Sequence, residues 1–260
     1  MLGAIAGDII GSVYEFSPIK RTDFPLFSAE STFTDDTVLT VAVAEWLLDG
    51  GDLAQCIRVW ARRYPGMSYG GMFRTWMRTD GAGPYGSWGN GAPMRVAAVA
   101  YVAKTEAEAI ELAARSAAVT HDHPDGIVGA QATALAAFLA RDGATPKRIR
   151  AAVEARFGYD LAPSVAAIRP GYSFDESAKG TVPAALICAL EAADFEGTVR
   201  NAVSLGGDAD TLACIAGAVA EPLHGLPGTI GREAWVRLDG QLSAVVERFY
   251  AQFIGRVPKK

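Results

Sequence analysis

The chain has few of the residues on which zinc sites and disulfide frameworks depend. Among its 260 residues are only three histidines and three cysteines. Cys56, Cys188 and Cys214 are scattered along the chain and form no C-x-x-C pair. Scattered cysteines of this kind are typical of proteins in a reducing compartment, where they act as small apolar residues. The sequence therefore predicts neither a disulfide-stabilised fold nor a structural zinc site.

An excess of basic charge and a long apolar run are also missing. The formal net charge of −5 gives no sign of a nucleic-acid-binding surface. It does not exclude an anionic ligand, because bound metal ions would reverse the local electrostatic field. No uninterrupted apolar stretch reaches membrane-spanning length. The apolar segment 2–16 contains Asp8 and lacks the basic start and cleavage pattern of a signal peptide. We therefore expect a cytoplasmic protein with no membrane association.

Alternating strand patterns are nearly absent, whereas apolar residues, which make up half of the chain, recur at helical spacing. The sequence predicts an all-α fold, a compact multi-helix bundle in which residues 1–260 form a single domain, and we expect a monomer. The predicted helices are Thr37–Leu48, Leu53–Tyr64, Met94–Ala103, Glu106–Val119, Gly126–Ala140, Pro146–Phe157, Lys179–Ala193, Phe195–Leu205, Asp208–Ala220 and Arg232–Phe253.

One segment departs from this pattern, because residues 67–93 are dense in glycine and aromatic residues. A loop of this length in a compact domain is usually functional or poorly ordered, and its aromatic anchors favour a functional loop. The aromatic side chains could stack on a base or form a small hydrophobic cluster, and the sequence leaves both alternatives open.

Two short acidic clusters carry the strongest chemical signal. Residues 34–37 read Thr-Asp-Asp-Thr and residues 206–211 read Gly-Gly-Asp-Ala-Asp-Thr, each directly before an apolar helical run. One such cluster is explained by helix capping. Two clusters hold more carboxylates than caps can use, and converging carboxylates repel unless a cation lies between them. Oxygen ligands without thiol or imidazole favour Mg²⁺ or Mn²⁺ over zinc.

Five segments carry further information: an opening helix that leads to a glutamate (residues 7–15), the two acidic motifs (33–37 and 206–211), a glycine–asparagine–glycine loop (87–95) and a threonine–histidine segment (120–124). Taken together and in register, these five segments resemble the ADP-ribosylglycohydrolase family.

The resemblance implies an all-α hydrolase that holds two divalent metal ions, Mg²⁺ or Mn²⁺, and cleaves the C1″ glycosidic bond of ADP-ribose attached to an acceptor. Carried over by position, the implied catalytic carboxylates are Asp36, Glu15 and Asp35. The implied metal ligands are Thr34, Asp35, Asp36, Asp208, Asp210 and Thr211.

The resemblance also implies contacts with the ADP-ribose-bearing substrate. Because glycine carries no side chain, backbone N–H groups of the loop could closely approach an anion such as the diphosphate. Arg95 could pair with phosphate or with an internal carboxylate, and His121 could touch the ligand or be structural. The implied substrate-binding residues are Ser87, Gly89, Asn90, Gly91 and His121.

Two other interpretations stay open at this point. A non-catalytic relative could keep the fold for binding ADP-ribose or for a structural role. The His121-Asp122 pair also occurs in all-α metal phosphohydrolases, but only His123 and His224 remain as further histidines for such a site. The acceptor itself, whether arginine, serine, a nucleobase, a phosphate or a small molecule, leaves no signature in the sequence.

Overall fold

The computed structural model describes residues 1–257. Within them, the sole β pairing is one antiparallel bridge between Gly89 and Ser177, so the all-α prediction is confirmed. The helices are α1 (Leu2–Gly11), α2 (Asp35–Asp49), α3 (Leu53–Arg63), α4 (Gly71–Arg78), α5 (Val99–Val102), α6 (Glu106–Ala118), α7 (Pro124–Arg141), α8 (Pro146–Phe157), α9 (Val165–Ile168), α10 (Ala178–Glu191), α11 (Phe195–Val203), α12 (Ala209–His224), α13 (Gly228–Trp235) and α14 (Gly240–Phe249).

The most intimate helix pair joins α1 to α12, although they lie at opposite ends of the sequence. A glycine on each turn of α1 faces α12, and a Cβ atom at Gly7 would lie only 2.0 Å from the carbonyl oxygen of Ala213. At Gly3 and Gly11 the corresponding approaches to α12 carbonyl oxygens are 2.7 and 2.4 Å. The missing side chains let the two backbones touch, and this contact places the first and last motifs side by side.

Around this pair, α7 and α10 pack on α12, and α6 covers α7. The facing surfaces are rich in buried alanine, whose small side chain allows the helices to approach closely. Helix α2 packs against α1, α3 and α14. None of the helices in residues 1–257 combines the length and the apolar character that a bilayer span requires.

Several predicted boundaries shift. The segment 67–93 contains a helix, α4, whose Phe73, Trp76 and Met77 are buried. The predicted helix Arg232–Phe253 is divided in two, because the carboxylate of Asp239 accepts hydrogen bonds from the N–H groups of Gln241 and Leu242 and starts α14 anew. The predicted helix Met94–Ala103 is a 3₁₀ turn (Pro93–Arg95) followed by the short α5.

Candidate active site

A cleft of about 530 Å³ opens where the starts of α2 and α12 meet the loop before the 3₁₀ turn. It brings together all but one of the residues predicted for the site. Thr34, the exception, lines an adjoining pocket. The predicted residues along the cleft are Glu15, Asp35, Asp36, Ser87, Gly89, Asn90, Gly91, His121, Asp208, Asp210 and Thr211.

Asp36 joins the two acidic motifs directly. Its Oδ2 atom accepts a hydrogen bond from the hydroxyl of Thr211 at 3.3 Å and lies 3.4 Å from the hydroxyl oxygen of Thr34. Its Oδ1 atom is buried and has no hydrogen-bond partner among the described residues. A buried carboxylate oxygen without a donor is costly unless a cation satisfies it.

The carboxylates form two overlapping groups. In each group, one oxygen per residue lies within 4.8 Å of the others, and the groups are Asp8, Asp36 and Asp210, and Glu15, Asp208 and Asp210. Asp210 belongs to both groups, so its carboxylate would lie next to a cation bound in either one. Asp35 lies outside both groups and faces the cleft.

Asp8 is a member of the site that the sequence did not predict. Its Oδ2 accepts hydrogen bonds from the N–H groups of Thr34 at 3.0 Å and Thr37 at 3.1 Å, and from the Thr37 hydroxyl. Its Oδ1 accepts a bond from the Thr34 hydroxyl at 2.8 Å. Asp8 thus fixes the start of α2 against α1. The available signal was a lone acid in an apolar helix, preceded by glycine as Asp208 is.

The second motif enters α12 through a turn that needs its glycines. Gly206 has a φ of 64°, in the left-handed region, and a Cβ atom at Gly207 would lie 2.5 Å from the Tyr172 ring. Asp208 occupies the N-cap position of α12 but makes no side-chain capping bond. Its carboxylate faces the cleft instead, so capping does not account for this residue.

Burial and mutual repulsion raise the pKa values of the carboxyl groups in the cleft. Burial, followed by the charge of Asp210, raises the pKa of both Glu15 and Asp35 to about 8. Burial raises the pKa of Asp208 to about 6. It also raises the pKa of Asp36 and Asp210 well above the usual value, with added repulsion between neighbouring carboxylates.

These features fit a divalent metal centre. No lysine or arginine side chain lines the described cleft, so no protein cation there neutralises the carboxylates. Asp36 Oδ1 is orphaned, and all donors in the two groups are the hard oxygens that Mg²⁺ and Mn²⁺ prefer. The two carboxylate groups can therefore hold such an ion, and they contain Asp36, Asp208 and Asp210 of the predicted ligands together with Asp8 and Glu15.

The glycine-containing loop is tied to the acidic side of the cleft. Asn90 Nδ2 donates to Asp208 Oδ2 at 2.7 Å and to Thr181 Oγ1 at 3.2 Å. Two amides of the loop are already used, because Gly89 N donates to Ser87 Oγ and Asn90 N donates to the Glu176 carbonyl. The loop therefore offers an anion fewer free N–H groups than its glycines suggest.

The imidazole of His121 completes this wall of the cleft. A Cβ atom at Gly91 would lie 3.1 Å from its Nε2, which places that nitrogen beside the loop. Its Nδ1 hydrogen-bonds the Thr120 hydroxyl at 2.8 Å. Asp122 turns away and accepts from the Gly86 N–H, so His121 and Asp122 do not act as the paired ligands of a phosphohydrolase.

Arg95 pairs with neither of its expected partners. It is fully buried, and its Nη2 donates to the Ser116 carbonyl at 2.5 Å and to Thr120 Oγ1 at 3.0 Å. No carboxylate among the described residues forms an ion pair with it, and it does not line the cleft.

The sequence profile of the ADP-ribosylglycohydrolase family matches residues 1–257, nearly the whole chain. The protein belongs to the ADP-ribosylglycohydrolase family.

Known proteins similar to this family member agree with that assignment. Mouse ADP-ribosylhydrolase ARH3 is 24% identical over 306 aligned positions, which cover 87% of this chain and 83% of the mouse protein. The ADP-ribosylarginine hydrolase Tri1 of Pseudomonas putida is 26% identical, with 88% and 70% of the two chains covered. A solved structure described as an ADP-ribosylglycohydrolase-related protein complex superposes with a TM-score of 0.72 at 27% identity, covering 96% of this chain and 95% of that one.

In this ADP-ribosylglycohydrolase, the segment that carries Glu15 is fastened to the rest of the site. Glu15 lies beyond the end of α1 at Gly11 and is half-buried. Five residues further on, Lys20 Nζ donates to the carbonyl oxygens of Arg169, Tyr172 and Leu205. Because Leu205 directly precedes the second acidic motif, one lysine links both halves of the site.

Proposed function

We propose that the protein hydrolyses the C1″ glycosidic bond between ADP-ribose and an acceptor and releases ADP-ribose. The observation that carries this proposal is the meeting of both acidic motifs in one cleft, where Asp36 leaves a buried carboxylate oxygen without a donor. Family membership supports hydrolysis of an ADP-ribosyl bond. We expect the enzyme to act as a cytoplasmic monomer.

We propose two divalent ions, Mg²⁺ or Mn²⁺, as its cofactors. When bound, such ions neutralise carboxylates, orient substrate oxygens and polarise water. Asp36 and Asp210 are the central ligands, since Asp36 joins both motifs and Asp210 belongs to both carboxylate groups. The full ligand set in this proposal is Thr34, Asp35, Asp36, Asp208, Asp210 and Thr211.

The catalytic roles fall to carboxylates at the cleft surface. Glu15 is our preferred acceptor for the proton of the attacking water, because it is half-buried, lines the cleft and has a pKa raised by burial and by Asp210. Asp36 and Asp35 are the other candidates. Departure of the acceptor leaves positive charge at C1″, which the surrounding carboxylates stabilise.

The distal wall of the cleft would bind the rest of ADP-ribose. Holding the diphosphate and ribose positions the reacting carbon over the carboxylates. We assign this role to Ser87, Gly89, Asn90, Gly91 and His121.

The test is release of ADP-ribose from a panel of defined substrates that carry it on arginine, serine, a nucleobase or a terminal phosphate. The name of the Pseudomonas putida relative makes arginine the first acceptor to assay. We expect release that requires Mg²⁺ or Mn²⁺ and stops in EDTA.

The decisive variant is Asp210→Asn, which removes one charge from both carboxylate groups and should lower kcat by at least about 100-fold. Asp142→Asn, an exposed position at the end of α7 that does not line the cleft, is the matched control and should keep full activity. Unchanged release by Asp210→Asn would contradict the metal-dependent mechanism. Metal binding without cleavage of any substrate would favour a binding protein.

A further inference from the structure

The side chains behind His121 form a hydrogen-bond chain that begins at a buried cation. Arg95 is fully buried, and its Nη2 donates to Thr120 Oγ1 at 3.0 Å. Thr120, also fully buried, contacts His121 Nδ1 through the same oxygen at 2.8 Å. The chain ends at His121 Nε2, beside Gly91 in the cleft wall.

The donor and acceptor inventory of these groups fixes the direction of each bond. A guanidinium has only donors, so Thr120 Oγ1 must accept from Arg95. The hydroxyl then has a single proton to donate, and among the described residues its other polar neighbour is His121 Nδ1. An Nδ1 that accepts a hydrogen bond carries no proton, and in a neutral imidazole the proton is then on Nε2.

The other two protonation states are disfavoured by the same contacts. If His121 Nδ1 carried a proton, Thr120 Oγ1 would accept from both neighbours, and its own buried proton would be left without an acceptor. An imidazolium would add a second positive charge next to the buried Arg95. In agreement, burial and then the charge of Arg95 hold the pKa of His121 well below its usual value.

This direction matters because no lysine or arginine lines the described cleft, and because the N–H groups of Gly89 and Asn90 are used within the protein. A neutral Nε2–H group beside the loop supplies a donor for an anion without placing a cation near the carboxylates.

We propose that Arg95 and Thr120 are positioning residues that hold His121 as the neutral Nε2–H tautomer, so that it donates a hydrogen bond to the diphosphate of the substrate. This inference rests on the proposed function for the identity of the ligand, whereas the tautomer stands on the geometry alone. Arg95 therefore acts on the bound anion indirectly, through Thr120 and His121.

The direct test is the tautomer of His121 in the folded protein with Mg²⁺. Protein labelled with ¹⁵N-histidine gives a two-bond ¹H–¹⁵N correlation spectrum whose pattern separates the Nε2–H form, the Nδ1–H form and the imidazolium. The chain has three histidines, so a His121→Asn sample assigns the signal. At pH 7 we expect the Nε2–H pattern. The Nδ1–H or imidazolium pattern would overturn the proposal, whatever the enzyme hydrolyses.

Variants at Thr120 test the positioning role. Thr120→Val keeps the shape and removes the hydroxyl, whereas Thr120→Ser keeps the hydroxyl. We expect Thr120→Val to move the ¹⁵N shift of Nδ1, which no longer accepts a hydrogen bond, and to weaken ADP-ribose binding, measured by calorimetry, by about tenfold, the loss of one hydrogen bond to a charged group. Thr120→Ser should restore both, and KM should change more than kcat. If Thr120→Val keeps the wild-type Nδ1 shift and affinity, the chain does not position His121.

Discussion

Asn90 Nδ2 donates a hydrogen bond to Asp208 Oδ2 at 2.7 Å, so the loop predicted to bind substrate holds a predicted metal ligand in place. Removing an outer hydrogen bond of this kind commonly costs about 10- to 100-fold in metal affinity. We expect Asn90→Ala to weaken Mn²⁺ binding within that range, as measured by calorimetry. Thr181→Val removes the other partner of Asn90 and leaves the bond to Asp208, so it should have a much smaller effect. Equal losses of Mn²⁺ affinity in the two variants would show that Asn90 matters for the conformation of the loop and not for its bond to Asp208.

Lys20 should control how firmly the Glu15 segment is held. Its ammonium donates to three backbone carbonyls, which Lys20→Met leaves without a donor. We expect amide hydrogen exchange in residues 12–34 to accelerate by about tenfold, the loss of one charge-assisted hydrogen bond. Arg21→Met is the neighbouring control, because Arg21 is exposed and its hydrogen bond and its ion pair are both with Asp23. A small amine such as ethylammonium should occupy the carbonyl site and restore protection in Lys20→Met. Exchange that stays at the wild-type rate would mean that other contacts hold the segment.

The contact between α1 and α12 should be intolerant of a single methyl group. Gly7→Ala would place a Cβ atom against the backbone of Ala213, so we expect the free energy of unfolding in urea to fall by about 3 kcal/mol. Gly240→Ala is the control, since Gly240 is also helical and nothing lies within 4 Å of the added atom. It should leave stability unchanged or raise it by up to about 1 kcal/mol. A similar loss of unfolding free energy in both variants would mean that the close contact with α12 is not the cause of the loss in Gly7→Ala.

Metal and protons should compete for the acidic site. The folded-state pKa of Asp35 and Glu15 is raised to about 8, and that of Asp208 to about 6. Folding thus favours the protonated forms of these carboxyl groups. In the metal-free protein, their contribution to the free energy of unfolding is complete below about pH 4 and is lost as the pH rises to about 8. Mg²⁺ reverses this loss, so it should raise the melting temperature more at pH 8 than at pH 5. Asp210→Asn should reduce that difference. An equal shift at both pH values would contradict competition.

The sequence predicted which residues share the cleft better than it predicted the outlines of the helices. The two acidic motifs were visible because several oxygen-bearing side chains are contiguous in each. Asp8 was missed because its role depends on donors at the start of α2, and a lone acid after a glycine in an apolar run is too weak a signal to identify a site residue. Lys20 was missed for a similar reason, since backbone carbonyls from distant segments leave no mark in side-chain patterns. Helix α4 was hidden by its glycine-rich start, which suggests a loop although tertiary burial of Phe73 and Trp76 stabilises a helix.

The glycine-lined contact of α1 with α12 also determines when the site can exist during synthesis. Asp36 at the start of α2 and Thr211 at the start of α12, which are hydrogen-bonded to each other, are 175 positions apart in the chain. While the ribosome makes the intervening residues, Asp8, Asp35 and Asp36 have emerged without their partners on α12. The acidic cluster therefore assembles only after α12 has been made, and a nascent chain that stops before α12 carries Asp8, Glu15, Asp35 and Asp36 but neither Asp208 nor Asp210.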